Sequence, residues 1–384
     1  MITMLNAFTE EVDDMEAAVS EILEQLDVDH RLLAHSLGIL HCYSEFCENG
    51  IVKALCEKLP FDVVGSTTSS LSASGRMSEM GLALTVLTSD TVQFKSGVSE
   101  EVKDSAEAPV TELYKRLIDP LPRKPALLLP FIPFLMIPGG DEFVAQIDAL
   151  SGGIPAFGTL SISNEIDFSR CYTIYNGEYY PAALVLTALI GDVEPIFMNT
   201  SINEESILKQ KAVITEVNRN RVQTINNIKA AAYMESIGLA KDGKISGMES
   251  TPFVVDLEDG SRLVRANIGS NEQGEMILCG AVPVNSPVAF ASQGFNDVVE
   301  TASEKAAEAA KAAQGRGILM YSCAARYWVL GLQIRAELEA VEACIAGTAP
   351  YHLVCSGGEI SPQFLSNGKV ANHLQNNSLI ICIL

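Results

Sequence analysis

A pair of glycines followed by a carboxylate ends an apolar run near the C-terminus, in YHLVCSGGEISP, residues 351–362. Two interpretations of this motif are open. The glycines could form a tight turn between strands, because glycine adopts positive φ at little cost. They could instead let something small approach the backbone. In that case Ser356, Gly357 and Gly358 would offer N–H donors, and Glu359 could accept a hydrogen bond from an amine.

A complementary positive charge follows a second apolar run. Arg326, in YSCAARYW (321–328), comes directly after a predicted strand, and its planar guanidinium is suited to bind a carboxylate. Arginine and glutamate on either side of a glycine turn would fit a zwitterion such as an amino acid. The alternative is a structural ion pair in which Arg326 and Glu359 hold the turn together.

Three further side chains are candidates for the same cleft. Arg265 alternates with apolar neighbours in SRLVRANI (261–268), so it either points into the cleft or lies on a solvated sheet face. Cys323 and Cys355 occupy equivalent places in two predicted strands. They either contact the ligand or act as small core side chains, the usual role of buried cysteine.

The same residues also allow an enzymatic alternative. A cysteine or serine at this turn, with Glu359 as base, would make a hydrolase or amidase. However, the nucleophile motif G-x-S-x-G does not occur. His352 lies three residues before Cys355, so the two side chains project to opposite faces of a strand. We therefore assign no catalytic residue and favour a non-enzymatic binding protein, with a structural adaptor as the third possibility.

Cysteine and histidine usage predicts neither a metal site nor a disulfide framework. The nine cysteines are odd in number, lack a C-x-x-C motif and lie mostly in apolar runs, as expected for reduced thiols in a cytoplasmic protein. The five histidines show no spacing typical of metal ligands.

Charge and hydrophobicity limit the partners of the chain. The formal net charge is −22 at pH 7, which repels the phosphates of nucleic acids. The longest apolar run, residues 126–138, contains three prolines and is shorter than the roughly 20 residues that a membrane helix needs. The N-terminus is acidic and lacks the apolar core of a secretion signal. We expect a soluble cytoplasmic protein without nucleic-acid or membrane partners.

A strand–helix–strand–strand pattern occurs three times along the chain. The final strands are continuous apolar runs, which is typical of strands buried on both faces. Small residues follow the second strand of every copy: GSTTS (65–69), GTLSIS (158–163) and SGGEIS (356–361). We call these three segments the elbows, and we expect them to converge at strand ends, where open α/β sheets commonly bind ligands.

The remaining segments complete the predicted architecture. Residues 9–26 predict an amphipathic helix, residues 95–112 a polar surface linker, and residues 200–296 a largely antiparallel insert. In the insert, hairpin turns are expected at residues 218–220 and 259–260, and strands at 274–293 are expected to pair with each other. A helix follows at 298–314, with Asn296 or Asp297 as its N-cap. The predicted fold class is α/β (α+β): repeated β-α-β-β units in mixed sheets covered by helices, with an antiparallel insert.

The motifs that these units carry resemble those of the FIST family. The matching stretches include FDVVGSTTS, IPAFGTL, RVQTINNIKAAAYMESIGL, DGSRLVRANI, ILMYSCAARYWVLG and the run from YHLVCSGGEISP to NNSLIICIL. The N-terminal segment at 1–30 holds the amphipathic helix predicted above. For the rest of the chain, the resemblance implies a FIST N-terminal module at 31–197 and a FIST C-terminal module at 198–384.

The family resemblance also implies a function. FIST modules resemble ligand-binding sensory domains, which are often fused to histidine kinases, diguanylate cyclases or chemotaxis receptors, and amino acids are the usual suggested ligands. We expect this chain to signal to a separate protein such as a histidine kinase or cyclase. Asn376 matches the asparagine of a Phe-His-Asn pattern in the family and joins the ligand-site candidates. Some members bind haem, but Leu374 and Gln375 replace the first two residues of that pattern, so no cofactor is expected.

Overall fold

The computed structural model describes residues 1–73, 75–165, 167–240 and 251–384. Within these ranges the chain is a mixed α/β protein, which confirms the predicted fold class. Three sheets of six strands each form the body, and the insert supplies a further sheet of eight strands. None of the helices in these ranges is long and apolar enough to span a lipid bilayer.

The first repeat begins with a strand at the N-terminus. Its elements are β1 (Thr3–Thr9), α1 (Met15–Leu26), α2 (Val28–Arg31), β2 (His35–Cys42), α3 (Glu45–Glu48), α4 (Ile51–Cys56), β3 (Asp62–Thr67), β4 (Leu71–Ala73), β5 (Arg76–Ser78) and β6 (Leu82–Ser89). The predicted N-terminal helix is confirmed as α1. It starts where the side chain of Asp14 accepts a hydrogen bond from the backbone N–H of Ala17, a typical N-cap.

The second repeat follows with the same plan. Its elements are β7 (Gln93–Val98), α5 (Glu107–Leu117), β8 (Leu127–Ile132), α6 (Gly140–Ser151), β9 (Gly158–Leu160), β10 (Thr173–Tyr175), β11 (Glu178–Tyr180) and β12 (Val185–Ile190). The predicted linker at 95–112 is wrong, because most of β7 and the first turns of α5 lie in it. Both elements have one polar face at the surface or at a sheet edge, so their overall composition is typical of a loop. The other face of α5 is apolar, and its Val110, Leu113 and Leu117 are buried.

An antiparallel insert follows the first strand of the third repeat. The elements are β13 (Ile196–Thr200) and then, in the insert, β14 (Ala212–Asn218), β15 (Arg221–Ile225), β16 (Ile228–Lys229), α7 (Ala230–Ser236), β17 (Phe253–Asp256), β18 (Arg262–Arg265), β19 (Asn267–Ser270), β20 (Met276–Leu278) and β21 (Pro287–Phe290). Both predicted hairpin turns are confirmed. The predicted pairing of the two strands within 274–293 is wrong, because β20 pairs with β15 and β19 while β21 pairs with β14 and β17.

The third repeat resumes after the insert. Its elements are α8 (Phe295–Ala313), β22 (Ile318–Cys323), α9 (Ala324–Val329), α10 (Ala336–Ile345), β23 (Tyr351–Ser356), β24 (Glu359–Phe364), β25 (Val370–Gln375) and β26 (Leu379–Ile383). Helix α8 starts earlier than predicted, with Gly294 as its N-cap. Asp297 lies inside the first turn and accepts a hydrogen bond from the N–H of Gly294 at 2.8 Å, so it caps the helix from the third helical position.

The three body sheets share one strand order. It is β1-β6-β2-β3 in the first sheet, β7-β12-β8-β9 in the second and β13-β26-β22-β23 in the third. The last two strands in each order are parallel, as a helical crossover between them requires. The repeating unit therefore begins one strand and one helix earlier than the predicted β-α-β-β unit. Strand β1 and helix α1 belong to the first repeat, and the sequence analysis did not predict β1.

The other two strands of each sheet come from a neighbouring repeat. The β4–β5 hairpin extends the third sheet beside β23, the β10–β11 hairpin extends the first sheet beside β3, and the β24–β25 hairpin extends the second sheet beside β9. The chain therefore crosses between sheets directly after β3, β9 and β23. These crossings are the three elbows, and the cyclic exchange of hairpins brings them together.

The largest apolar cluster lies between the three sheets and includes Phe131, Tyr321 and Val354. Two fully buried histidines lie against it, with Nδ1 of His41 2.8 Å from Nε2 of His352. Burial lowers the pKa of His41 well below its usual value and lowers the pKa of His352 to about 3. Both imidazoles are therefore neutral at physiological pH.

Candidate functional site

The three elbows contact one another through hydrogen bonds at their backbones. The N–H of Gly357 donates to the carbonyl of Leu160 at 3.0 Å, and the N–H of Ile162 donates to the carbonyl of Thr67 at 3.2 Å. Thr68 Oγ1 donates to the carbonyl of Cys355, the residue just before the third elbow, at 2.7 Å. Small residues are needed here because three chain segments cross in one place. The elbows therefore converge at strand ends, as the sequence predicts.

The two glycines of the third elbow serve packing, because neither adopts the positive φ of a glycine turn. A Cβ atom on Gly357 would lie 2.6 Å from the carbonyl oxygen of Ser161 and 2.8 Å from the ring of Phe134. The interpretation of the two glycines as a positive-φ turn is therefore wrong. The segment that packs closely against their backbone is the second elbow. The N–H groups of Gly357 and Gly358 already donate to Leu160 and to the hydroxyl of Ser356, at 3.0 and 3.1 Å.

Arg326 is fully buried in α9 and does not contact Glu359. Its Nε and Nη2 lie 2.9 and 2.8 Å from Oε1 of Glu337 on α10. The remaining contacts of the guanidinium are the carbonyls of Ser201 and Val298, at 3.3 and 2.9 Å, and the hydroxyl of Thr301, at 3.2 Å. The expected Arg326–Glu359 ion pair is therefore wrong, and the guanidinium is already occupied by groups of the chain itself.

Arg265 and Asn376 join the insert to the body. The guanidinium of Arg265 donates to the carbonyls of Ala281 and Leu374, at 3.0 and 2.6 Å. Only 3% of this residue is exposed, so the expectation of a solvated sheet face is wrong, and burial lowers the pKa of Arg265. Oδ1 of Asn376 accepts a hydrogen bond from the N–H of Ala266 at 3.3 Å.

Glu359 is fully buried beside the thiol of Cys323. Its Oε2 accepts a hydrogen bond from Ser378 at 2.7 Å, whereas Oε1 has no hydrogen-bond partner of normal geometry among the described residues. Burial raises the pKa of Glu359 to about 8, although nearby hydroxyls and the Cys323 thiol partly oppose the shift. The group is therefore mostly a neutral carboxylic acid at physiological pH.

The thiols around Glu359 are poor nucleophiles. Burial raises the pKa of Cys279 and Cys355 to about 12 and raises that of Cys323 well above its usual value. The nearby carboxyl group of Glu359 shifts all three pKa values in the same direction. A catalytic cysteine needs the opposite environment, one that stabilises the thiolate.

A cavity of about 490 Å³ lies beside the convergence of the elbows, and we call it the elbow cavity. It is lined by Ser69, residues 163–165, Phe168, residues 266–268, Ala325, Tyr327 and Trp328. Phe168 and Trp328 form an aromatic wall, with ring centroids 6.0 Å apart. Of the predicted site residues, Gly357 lines a separate cavity of about 240 Å³.

Three residues that line the elbow cavity each carry a buried polar atom that has no oxygen or nitrogen partner within the described ranges: Ser69 Oγ, Glu165 Oε2 and Asn267 Nδ2. The thiol of Cys355 lies beside the hydroxyl of Ser69. The other carboxylate oxygen of Glu165 accepts from Arg170 at 2.9 Å, and Oδ1 of Asn267 accepts from the N–H of Gly269 at 3.2 Å. Buried polar atoms without partners are rare in folded proteins and call for a specific explanation.

Comparison with known protein families shows where this chain belongs. Residues 36–228 match the FIST N domain, and residues 230–362 match the FIST C domain. The chain belongs to the FIST family. FIST domains are associated with sensory and signal-transduction roles. No individual curated protein matches the chain.

The elbow cavity lies between the two FIST matches. Ser69, Glu165 and Phe168 belong to the FIST N match, whereas Asn267 and Trp328 belong to the FIST C match. The matches meet at residues 228–230, whereas the sequence analysis placed the junction at 197–198.

The sequence analysis did not select the polar residues of this cavity. Ser69 ends the first elbow, so the repeat itself was a usable signal for it. Glu165 lies in the polar loop after β9, and Asn267 is the first residue of β19. Neither position carries a signal of its own in the sequence. Trp328, the single tryptophan of the chain, stands two residues after Arg326 in a motif that was chosen for its charge.

Proposed function

We propose that this FIST protein is a non-enzymatic cytoplasmic sensor that binds a small ligand, an amino acid or a related carboxylate, in the elbow cavity. The observation that carries the proposal is a set of three buried polar atoms around one cavity, on Ser69, Glu165 and Asn267, none of which has an oxygen or nitrogen partner within the described ranges. A ligand with complementary polar groups would supply the missing hydrogen bonds, and most small-molecule sites combine a few such groups with apolar walls.

The chemistry of the three groups suits a zwitterion. The Nδ2 amide of Asn267 is a donor, and the Ser69 hydroxyl can also donate, so both suit a carboxylate. Oε2 of Glu165 is an acceptor and suits an ammonium group. Phe168 and Trp328 offer an aromatic surface for the ligand side chain. Asn267 and Ser69 thus replace Arg326 as the proposed contacts of the ligand carboxylate, and Glu165 replaces Glu359 as the proposed contact of the ammonium group.

The alternatives receive less support. A hydrolase or amidase would need a reactive thiol or serine, and the raised thiol pKa values of Cys279, Cys323 and Cys355 argue against the first. A purely structural adaptor would leave the three unpartnered atoms without an explanation.

The proposed sensor acts through a separate signalling partner, for which a histidine kinase or cyclase is the candidate class. We propose that it needs no cofactor. Of the residue types that serve as axial ligands of haem iron, the described lining of the elbow cavity includes one tyrosine, Tyr327, and no histidine, cysteine or methionine. Burial raises the pKa of Tyr327 to about 12, which disfavours the phenolate that would bind iron.

A thermal-shift panel tests the proposal. The panel contains the standard amino acids, the amines that lack their carboxylate, and the carboxylic acids that lack their ammonium group. We expect at least one amino acid to raise the Tm, because a ligand that binds only the native state stabilises it. The matching amine and carboxylic acid should each give a smaller shift. A panel in which no compound changes the Tm, or in which the Asn267→Ala variant responds like the wild type, would contradict the proposal.

A further inference from the structure

An open groove adjoins the elbow cavity on the surface of the third repeat. The groove has a volume of about 880 Å³ and runs between the segment around Met80, the start of α8 at Phe295 and the start of α10. Asn164 and Tyr327 line both the groove and the elbow cavity. The two sites therefore share a wall.

Large apolar side chains stand exposed along this groove. Leu332 is fully exposed, and Met80 and Phe295 are 51% and 37% exposed. Trp328, 41% exposed, lines the adjoining elbow cavity. Single exposed apolar residues are ordinary on protein surfaces. Three of them around one groove, Met80, Phe295 and Leu332, form a patch of the kind that marks an interaction site.

The charges of the groove are mostly negative. Arg335 forms a bidentate ion pair with Glu79, with both distances at 2.8 Å. Glu10 and Glu339 also lie close enough to interact with the charge of Arg335, so three glutamates face one arginine. The whole chain carries a formal net charge of −22. An apolar surface with an acidic rim is complementary to a partner that is both apolar and basic.

We propose that this groove docks a basic amphipathic segment of a separate protein, with an apolar side chain of that segment packed against Leu332, Phe295 and Met80. Acidic partners and nucleic acids would meet like charge at Glu79, Glu339 and Glu10. An apolar anchor surrounded by complementary charge is the usual form of a binding hot spot, and a helix in a groove is a common way to present one.

The groove and the cavity are connected through Asn164. Its side-chain amide donates to the carbonyl of Glu79 at 3.1 Å, and the carboxylate of Glu79 holds Arg335 at the start of α10. A ligand that moves Asn164 or Tyr327 would therefore change the groove. This dependence on ligand rests on the proposed function above, whereas docking itself does not require the ligand.

A display library of random peptides about 16 residues long, enough for roughly four helical turns, tests the docking without any added ligand. The library is selected on the full-length protein, and the peptides obtained are measured by fluorescence anisotropy. We expect selected sequences to carry net positive charge and apolar residues at helical spacing. Leu332→Ser and Glu339→Lys should each weaken their binding by about tenfold or more. The Leu332 side chain is fully exposed, so the Leu332→Ser variant should fold normally.

Two matched substitutions on the insert control for general effects of hydrophobicity and charge. Val284→Ser removes a half-exposed apolar side chain, and Glu272→Lys reverses an exposed charge away from the groove. Both should leave peptide binding unchanged. Selected peptides that are acidic, or that bind equally to all four variants, would overturn the proposal. Self-association of the wild-type protein that is lost in the Leu332→Ser variant would also overturn the proposal. The groove would then be occupied by a second copy of the chain. An intact thermal-shift response without peptide binding would leave the proposed function standing and reject only the docking.

Discussion

The guanidinium of Arg326 is bound to the carboxylate of Glu337 inside the third repeat, with 0% and 6% of the two side chains exposed. Oε2 of the same carboxylate accepts a hydrogen bond from Ser322 at 2.7 Å. The pair joins α9 to α10, and the carbonyls that Arg326 contacts join both helices to α8 and to the residue after β13. This buried ion pair has a structural role, since it connects the helices around the end of β22.

Removal of either partner should therefore destabilise the fold. Arg326→Ala leaves the Glu337 carboxylate buried and unpaired, which typically costs about 3–5 kcal/mol of unfolding free energy. Urea denaturation measures this loss. The matched control is Arg335→Ala, which breaks an ion pair between the same residue types whose side chains are 52% and 24% exposed and should cost less than about 1 kcal/mol. An Arg326→Ala protein of normal stability that no longer binds its ligand would instead make Arg326 a binding residue.

Glu359 should make the protein less stable as the pH rises. Its pKa is about 8 in the folded chain against an ordinary value of 4.5, so between these values the unfolded state loses a proton that the folded state keeps. The unfolding free energy then falls with rising pH, by up to about 1.4 kcal/mol per pH unit. Glu359→Gln should remove this slope. The measurement is urea denaturation from pH 5 to pH 9 (roughly the window set by the two pKa values), and parallel curves for the two proteins would reject the prediction. Glu272→Gln, at an exposed site, is the control.

The sequence predicted the repeats and the elbows because both depend on local patterns. Continuous apolar runs identify buried strands such as β6, β12 and β26, and a cluster of small residues identifies a place where backbones come close. These signals survive without knowledge of the tertiary structure. Strand β7 has one polar face, and the role of the edge elements β1 and β7 as strands depends on partners that lie far away in the chain.

The contacts of charged residues could not be predicted in the same way. Glu337 lies in an amphipathic helix, where a glutamate is usually exposed, and only the packing of α10 against α8 and α9 turns it towards Arg326. Similarly, Gly357 is required by the carbonyl of Ser161 in another repeat. Such contacts depend on how the three sheets pack against one another. The local patterns of a single sequence do not specify that packing.

The buried histidine pair should make the protein sensitive to acid. The pKa of His352 is about 3 in the folded chain against an ordinary 6.5, and that of His41 is also lowered. Between these values the unfolded state gains protons that the folded state does not, so the unfolding free energy falls as the pH falls, by up to about 1.4 kcal/mol per unit for each histidine. His352→Gln should remove roughly half of this loss. His30→Gln should not reduce it, because the hydrogen bond to Asp27 raises the pKa of the exposed His30 instead of lowering it. Chemical denaturation from pH 7 to pH 4 (approximately the range of the shift) would show equal slopes for wild type and His352→Gln if the idea is wrong.

The three thiols near Glu359 should react slowly with electrophiles in the folded protein. Burial raises the pKa of Cys279 and Cys355 to about 12 and raises that of Cys323 well above its ordinary value, so little thiolate is present at neutral pH. Labelling with iodoacetamide followed by peptide mass spectrometry measures each rate. Protein unfolded in urea, in which all three should label quickly, is the control. Fast and selective labelling of Cys323 or Cys355 in the folded chain would restore the enzymatic alternative.

Two serine-to-alanine substitutions separate a ligand role for Ser69 from a general effect of losing a buried hydroxyl. Both Ser69 and Ser44 are buried, and within the described chain neither Oγ has an oxygen or nitrogen partner, but only Ser69 lines the elbow cavity. Neither substitution removes a hydrogen bond to oxygen or nitrogen, and the contact of Ser69 with the Cys355 thiol is weak. Without ligand, both variants should therefore be about as stable as the wild type.

With an amino acid that raises the wild-type Tm, the two variants should differ. Ser69→Ala removes a hydrogen bond to the bound carboxylate, which is worth about 1.5 kcal/mol, or roughly tenfold in Kd, whereas Ser44→Ala should bind like the wild type. Isothermal titration calorimetry measures both affinities. Equal affinities for the two variants would mean that the Ser69 hydroxyl does not contact the ligand. The unpartnered atoms of Glu165 and Asn267 would then have to account for recognition without it.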